Sequence, residues 1–364
     1  MKLKILKSKF AEGMRSVQNI VNGKASPVIM QNVKIETTED GKLRMTTSDL
    51  DISVESVVEC EVEEPGVTTL PVKILSAAVS CSSEGVMNLE VDESDKASLR
   101  AGSAKYRLSG LSASLFPQFP KNEGSYTYTL KQVTLKEMLR KTAYAASQDD
   151  TRRNLKGVLM RFKDSKLTLV ATDGRRMALV EKEEDFAADA EQDIVLPNKT
   201  VQELQRSLSS EGEVNITVQN SQARFTLGNV TIYTKLAAEP FPNYAQVIPI
   251  SFEQQITVDR LMLISAVERV GVMSSEVHST KLKFSNNLLS VTASANEIGE
   301  AKDEVPIKFE GNEIEVVYNS TYLLDALKAI DDDEIIFNMN DSHSPAVIRC
   351  SIPFIYVIMP LRVD

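Results

Sequence analysis

LTLVATD, at residues 167–173, is the second of three similar segments in the chain. The first is LRMTTSD at residues 43–49, and the third is LSVTAS at residues 289–294. Each segment alternates larger apolar residues with polar ones and ends in small and hydroxyl residues, which is typical of a half-buried strand that enters a turn. Their spacing is close to one third of the 364 residues, so the chain is predicted to contain an internal repeat.

Two further marks follow each of these segments in the same order. The first is a strand end that leads into a helix, and the second is a short, mostly acidic turn after that helix. The strand ends are Leu70–Lys73, Leu196–Lys199 and Val317–Ser320, and the turns are Ser82–Gly85, Ser209–Gly212 and Asp331–Glu334. The first segments shift by 124 residues from the first copy to the second and by 122 from the second to the third, and the strand ends shift by 126 and 121. Three marks in one order, found three times, predict a triplicated chain.

Each copy is predicted to be an α+β unit of many antiparallel strands with two helices on one face. Strict alternation indicates strands, as in Val54–Val62 and Val214–Val218. Apolar residues at helical spacing predict six helices, at residues 8–23, 72–80, 134–148, 199–209, 259–270 and 320–329. Clusters of Pro, Gly and Asn separate the copies, so the predicted domains span residues 1–123, 124–250 and 251–364.

The composition excludes several classes of protein. Hydrophobic residues make up 42% of the chain, but no run of 18 apolar residues occurs, and the N-terminus lacks the apolar core of a secretory signal. Three cysteines without metal-like spacing favour a reducing cytoplasm over a disulfide framework. The two histidines, His278 and His343, stand apart, and no glycine-rich phosphate loop is present. The chain therefore offers little for catalysis, and no membrane partner is expected.

The distribution of charge bears on a nucleic-acid partner. The net charge is −10, which by itself argues against DNA binding. The six predicted helices, however, sum to +5, so the remainder of the chain carries −15. A mildly basic helical face on an acidic body suits loose, sequence-independent contact with phosphates, although solvated lysine and arginine on helix surfaces are also common.

The sequence also resembles a known family. Residues 171–178 (ATDGRRMA), 240–244 (PFPNY) and 357–362 (VIMPLR) are similar to segments of the bacterial sliding clamp, the β subunit of DNA polymerase III. Together with the three copies, the resemblance covers the whole chain in one register.

This resemblance implies a ring of two head-to-tail copies, with helices lining the pore and antiparallel sheets outside. The ring is expected to encircle duplex DNA in the cytoplasm, at the nucleoid, and to perform no chemistry and need no cofactor. The implied partners are the DNA polymerase III α subunit, the clamp loader, and other polymerases and repair proteins that carry clamp-binding peptides.

Three groups of site residues follow from the resemblance. The DNA contacts are expected at Lys24, Lys73, Gln148, Arg152, Arg153 and Asn154. Similar clamps often have aromatic residues where Arg153 and Asn154 stand, so the resemblance does not extend to stacking on DNA there, although Arg153 can still contact phosphate. The pocket for partner peptides is expected at Leu155, Thr172, Gly174, Arg175, Met177, Pro242, Val247, Asn319, Tyr322, Val357, Met359, Pro360, Leu361 and Arg362. Val363 and Asp364 extend beyond the usual C-terminus of the family and could partly cover the rim of this pocket.

The dimer seam is the third group. It is expected to use Tyr106 and Leu108 from the first copy, and Val272 and Met273 from the third. Basic residues of the first copy could face acidic residues of the third across this seam: Arg100, Lys105 and Arg107 against Glu297, Glu300 and Glu304.

Other interpretations stay open from the sequence alone. A repeat scaffold could bind peptides without encircling DNA. A hydrolase could use Asp49 and Asp173, but these are equivalent positions in separate copies, too far apart for paired carboxylate chemistry. The acidic run Asp331–Glu334 could bind a divalent metal, but the other copies have a plain turn there.

Overall fold

The computed structural model describes residues 1–21, 27–117, 126–149, 151–186, 191–219, 221–274, 278–295 and 299–362. Within these residues, six α-helices confirm the six predicted ones. They are α1 Lys7–Val17, α2 Val72–Cys81, α3 Gln132–Thr142, α4 Asn198–Ser207, α5 Arg260–Gly271 and α6 Ser320–Ala329.

The strands account for most of the remaining regular structure, as alternation predicted. Those of the first third are β1 Lys2–Leu6, β2 Asn32–Thr37, β3 Lys42–Ser48, β4 Ile52–Glu59, β5 Glu61–Glu64, β6 Val67–Pro71, β7 Val86–Val91, β8 Lys96–Ala101 and β9 Ala104–Ser109. The middle third holds β10 Tyr126–Lys131, β11 Gly157–Lys163, β12 Lys166–Thr172, β13 Arg176–Glu183, β14 Gln192–Pro197, β15 Glu213–Gln219, β16 Gln222–Leu227 and β17 Val230–Lys235. The last third holds β18 Gln254–Asp259, β19 Ser279–Ser285, β20 Leu288–Ala295, β21 Gly299–Lys308, β22 Ile314–Asn319, β23 Glu334–Met339, β24 Ala346–Arg349 and β25 Phe354–Ile358.

The chain folds into two compact units. The first unit comprises residues 1–136 and 202–236. It contains a five-stranded sheet in the order β5-β1-β7-β8-β9 and an eight-stranded sheet in the order β10-β15-β16-β17-β4-β3-β2-β6. Helix α1 packs closely on the eight-stranded sheet. Gly13 of α1 lies so near Met45 that any larger side chain at residue 13 would collide with it.

The second unit comprises residues 137–201 and 237–364. Its strands form one twelve-stranded sheet in the order β14-β11-β12-β13-β25-β24-β23-β18-β21-β20-β19-β22. Leu263 and Val267 of α5 and Leu323 and Leu327 of α6 are fully buried in this unit. These are the helical stripes expected for the third copy.

Each unit contains a place where strands of two copies pair, and the two places share one register. At the first junction, β17 pairs antiparallel with β4, with Tyr233 opposite Ser53. At the second junction, β25 pairs antiparallel with β13, with Val357 opposite Met177. All five pairs of the first junction become pairs of the second when 124 is added to both residue numbers. The triplication predicted from sequence therefore extends to how neighbouring copies join.

Two helices end earlier than predicted. Helix α1 ends at Val17 and α3 at Thr142, and each is followed by a short 3₁₀ turn. The Val17 carbonyl accepts a hydrogen bond from the Thr47 hydroxyl, and the Tyr144 carbonyl accepts one from Arg176. Side chains of neighbouring strands thus bind carbonyls at these helix ends, which local periodicity does not reveal.

Candidate functional site: an apolar pocket at the second junction

A tight turn between β12 and β13 forms one wall of the expected peptide pocket. The Asp173 carboxylate accepts hydrogen bonds from the backbone N–H groups of Arg175 (2.9 Å) and Arg176 (3.0 Å). The Thr172 hydroxyl donates to the Arg176 carbonyl at 2.6 Å. Gly174 has a φ of 85°, a left-handed conformation that costs glycine little. The turn therefore has a defined shape before any ligand binds.

The C-terminal segment forms the opposite wall. After β25 ends, the backbone N–H of Met359 donates to the Arg175 carbonyl at 2.9 Å, and that of Leu361 donates to the Val317 carbonyl at 2.7 Å. This places Pro360 between two backbone anchors. The C-terminal segment is thus held at the turn and at Val317 of β22.

The floor between these walls is apolar. Met177 and Val357 are buried in a cluster whose other members are Leu159, Val170, Leu179, Val195 and Val347. Phe241, Tyr244 and Ile248 pack against its edge. Two expected pocket residues that are close in the chain to members of this cluster are exposed, Val247 at 51% and Met359 at 41%. Exposed apolar side chains beside a buried apolar floor are suited to bind an apolar anchor of a partner.

The loop that carries Pro242 and Val247 is fixed by an arginine that the sequence analysis missed. Both ends of the Arg161 guanidinium bind the Asp193 carboxylate, at 2.8 and 2.6 Å, and Nη1 donates to the Tyr244 hydroxyl at 3.0 Å. The guanidinium also lies 5.4 Å from the centre of the Tyr244 ring. Arg161 lies in the middle of a strand, and no local signal marks it.

Arg176 is the second residue that the sequence analysis missed, although it belongs to the quoted ATDGRRMA segment. Its guanidinium donates to the carboxylates of Asp173 (3.1 Å) and Asp325 (2.6 Å) and to the Tyr144 carbonyl (2.7 Å), and it lies 4.2 Å from the centre of the Tyr322 ring. Burial by itself lowers the pKa of Arg176, but the surrounding Tyr356, Asp325 and Asp173 raise it above its ordinary value. The cation is therefore retained in a nearly buried position.

A groove of about 360 Å³ continues from the turn. It is lined by residues expected in the pocket, Arg175 and Tyr322, and by residues expected to bind DNA, Gln148 and Arg152. Burial raises the pKa of the Tyr144 phenol in its wall. The structure thus brings two residue groups together that the sequence analysis had assigned to different ligands.

The remaining expected DNA contacts occupy varied surroundings. Lys73 is exposed on α2 in the first unit, while Arg153 is exposed and Asn154 half-buried in the second. Arg152 donates to the Asp173 carbonyl at 2.8 Å, so its guanidinium supports the pocket turn as well as facing solvent. Lys24 lies outside the described residues, as do Val363 and Asp364.

Other expected pocket residues have defined local roles. Leu155 is half-buried beside the turn, close to where a side chain at Gly174 would lie. The Asn319 side chain accepts a hydrogen bond from the backbone N–H of Tyr322 and caps α6. Arg362 is exposed at the end of the described chain.

The expected seam residues differ in exposure. In the single chain, Val272 is 83% exposed and Leu108 only 9%. Tyr106 and Met273 are half-buried. Leu108 thus belongs mainly to the core of the first unit, because it lies on the inward face of β9.

The carboxylates considered for other chemistry have partners already. Asp49 and Asp173 each accept hydrogen bonds from backbone N–H groups of their own turn. Asp331 accepts hydrogen bonds and ion pairs from Arg140 and Lys141. Across the described part of the chain, no cluster of three or more His, Cys, Asp or Glu is arranged to hold a metal ion. The helices described here are also too short or too polar to span a membrane.

Comparison with known proteins covers the chain in three parts. The DNA polymerase III beta subunit N-terminal domain matches residues 1–120, the central domain residues 129–243, and the C-terminal domain residues 245–362. These three matches follow one another in the order of the three predicted copies.

Individual relatives agree with these matches. The beta sliding clamp of Pseudomonas aeruginosa is 30% identical over 355 residues, which cover 96% of each chain. A solved sliding clamp from Bartonella birtlesii, bound to griselimycin, is 31% identical and superposes with a TM-score of 0.95 over 100% of both chains. A griselimycin-bound clamp structure from Pseudomonas aeruginosa gives 29% identity and a TM-score of 0.95, again over both whole chains. This chain therefore belongs to the DNA polymerase III β subunit family, the bacterial sliding clamps.

Proposed function

We propose that this sliding clamp works as a ring of two head-to-tail copies that encircles duplex DNA and holds its partners in the pocket at the second junction. The ring is a processivity factor without a catalytic site or cofactor of its own. The observation that carries the proposal is the common register of the two junctions. It predicts how a strand of a second chain would pair with a strand of the first.

Within the described residues, two strand edges that are open for pairing support closure into a ring. Strand β9 is the edge of the five-stranded sheet, in the same position of its copy as β17. Strand β21 occupies in the third copy the place of β4 and β13, but it pairs with β18 only near its end, at Ile307 and Lys308. A second copy can therefore add its β9 beside the open part of β21, and two such joints close a symmetric ring.

The repeat also predicts the register of this joint. Arg107 occupies the position of Tyr233 in its hairpin, since Ser98–Arg107 corresponds to the pair Arg224–Tyr233. Glu300 occupies the position of Met177, since it pairs with Ser294 as Met177 pairs with Thr172. The same register would place Arg107 opposite Glu300 of a second copy, in agreement with the charge match expected from sequence.

DNA is proposed to pass through the ring with few tight contacts. Topological linkage provides retention, so the chain can carry a net charge of −10 and still remain on DNA. Lys24, Lys73, Gln148, Arg152, Arg153 and Asn154 are the proposed contacts. Weak phosphate contacts predict equilibrium binding that is steeply dependent on salt.

The pocket is proposed to take a short peptide with Gln, Leu and a terminal apolar pair. Proposed owners of such peptides are the DNA polymerase III α subunit, the clamp loader, and other polymerases and repair proteins of the cytoplasm. The exposed Met359 and Val247, close in the chain to members of the apolar floor, support this, because methionine adapts to several partner side chains.

DNA retention tests the ring. Native mass spectrometry should give about twice 40.3 kDa, and the loaded clamp should stay on nicked circular DNA and leave linear DNA with free ends. Equal retention on both DNA forms would indicate ordinary DNA binding instead of encirclement, and a monomer at all concentrations would contradict the ring.

Peptide binding tests the pocket. A fluorescently labelled Gln-Leu-x-Leu-Phe peptide is titrated against the parent chain, Met359→Ala and a chain cut after Ile358. Loss of a buried anchor contact should cost about 1–3 kcal/mol of binding free energy. Unchanged affinity in both variants, with the dimer intact, would show that the peptide binds elsewhere.

A further inference from the structure

Arg176 binds the pocket turn from behind. Its side chain is 9% exposed, and each of its three guanidinium nitrogens donates a hydrogen bond. Nε donates to Asp173 of the turn, Nη1 to Asp325 of α6, and Nη2 to the Tyr144 carbonyl. The partners come from two predicted domains, since Asp173 and Tyr144 lie in residues 124–250 and Asp325 lies in residues 251–364. A single cation thus joins the turn of one copy to a helix of the next.

Alternation along β13 separates this role from contact with a ligand. Successive side chains of a strand point to opposite faces. Met177 faces the apolar floor, so Arg176 lies on the other side of the strand, against α6. Its neighbour Arg175 is exposed, and the Arg175 carbonyl accepts the backbone N–H of Met359. Arg176 therefore supports the turn directly, through Asp173, and the C-terminal segment indirectly, through the Arg175 carbonyl that binds Met359.

The geometry requires arginine. The planar guanidinium binds two carboxylates and a carbonyl at once and stacks on Tyr322 at 4.2 Å, whereas a lysine ammonium has neither the fork nor the flat face. Tyr322 is itself held, because the Tyr356 hydroxyl donates to its carbonyl at 2.7 Å. Replacing Arg176 by Lys would leave the charge in place and release the turn from α6.

We propose that Arg176 and Asp325 form a latch that positions residues 172–177 against α6 and so pre-forms the peptide pocket; this inference rests on the proposed peptide-binding function. Arg176 is a positioning residue, because it acts through the turn and the ring of Tyr322. A pre-formed pocket binds more tightly because the peptide does not have to order it.

The test titrates the labelled Gln-Leu-x-Leu-Phe peptide against the full-length parent, Arg176→Lys, Asp325→Asn and the double variant. Arg176→Lys should weaken binding roughly tenfold, and Asp325→Asn less, as expected when pre-organisation is lost. The double variant should be no weaker than Arg176→Lys alone, because both substitutions open the same latch. Hydrogen exchange should become faster in the amides of residues 172–177.

Two controls make the result specific. Arg224→Lys changes a half-buried arginine of the first unit that donates to Thr217, and it should leave peptide binding unchanged. Met359→Ala should weaken binding in the parent and, to the same extent, in Arg176→Lys, because it removes a contact and not the latch.

The outcomes separate the two proposals. If the parent chain does not bind the peptide, both the proposed peptide-binding function and the latch are overturned. A parent that binds, with Met359→Ala weakened and both latch variants within about twofold of the parent, overturns the latch alone. Additive losses of peptide affinity in the double variant would also overturn the latch, since they would indicate that Arg176 and Asp325 act separately. Faster hydrogen exchange across the whole second unit would overturn it as well, since it would indicate that the two residues only stabilise the fold.

Discussion

The first and second junctions share one strand register and differ in their side chains. Both pair their strands in one register, but Ser53 faces Tyr233 at the first and Met177 faces Val357 at the second. At the first junction the Ser53 hydroxyl donates to the Thr47 carbonyl at 3.0 Å. At the second, the corresponding pair is buried among apolar side chains.

The edges of the two junctions differ in the same way. The position of Met359 at the second junction is occupied by Lys235 at the first, where its ammonium forms an ion pair with Asp51 at 3.1 Å. The two junctions thus share one strand register, but the face that carries Met177 at the second junction is apolar and the corresponding face that carries Ser53 at the first is polar. Substitutions that exchange these side chains can show how far the pocket depends on them.

The largest effect is expected when the second junction receives the residue of the first. Met177→Ser removes a buried side chain and adds a hydroxyl, so it should lower the free energy of unfolding by about 2–4 kcal/mol. Peptide affinity should also fall, because the apolar floor is lost. Urea unfolding and peptide anisotropy measure the two effects.

A matched control for this change is Met45→Ser, which empties a fully buried site in the first unit. It should lose similar stability and keep peptide affinity. If Met45→Ser weakened the peptide as much as Met177→Ser, the loss at Met177 would reflect general destabilisation.

The reverse exchange should cost less. Ser53→Met puts a larger side chain into a site that is 1% exposed and removes the hydrogen bond to Thr47, so a loss of about 1–3 kcal/mol in unfolding free energy is expected. It should not create peptide binding in a chain that carries Met359→Ala. Recovery of affinity in that double variant would mean that one side chain is enough to build a pocket.

A smaller effect is expected at the turns. Leu50 has a φ of 77°, where the second junction has Gly174 at 85°. Leu50→Gly should raise the unfolding free energy by up to about 1 kcal/mol, because relief of left-handed strain exceeds the entropy cost of glycine. Gly174→Ala should lower it by about 1 kcal/mol or more. Thermal unfolding of both variants checks the opposite signs, and equal signs would contradict this explanation.

The smallest effect is expected at the ion pair of the first junction. Lys235 and Asp51 are both well exposed, so Lys235→Ala should change the unfolding free energy by less than about 0.5 kcal/mol. Peptide affinity should not change. A loss above 1 kcal/mol at moderate salt would mean that the ion pair holds the junction together.

Much of the candidate site could be predicted from the sequence because its signals are local. Segment 171–178 contains the turn, and the residues at 357–362 contain the end of β25 and the C-terminal wall. In the structure, Met177 and Val357 share one buried apolar cluster, and the Met359 backbone N–H donates to the turn that contains Gly174; that these residues bind a peptide stays a prediction. Arg161 was missed because its partners, Asp193 and Tyr244, are far from it in the sequence.

By itself, the sequence determined the triplication, the α+β class, the six helices and the family, since periodicity and repeated segments depend on neighbouring residues. Tertiary structure alone decided where α1 and α3 end, which strands join neighbouring copies, and which arginines fix the pocket. The physical reason is that a strand pairs through backbone groups common to all sequences. A guanidinium likewise binds whichever carboxylates the fold brings to it, and for Arg176 one of them lies 149 residues further along the chain.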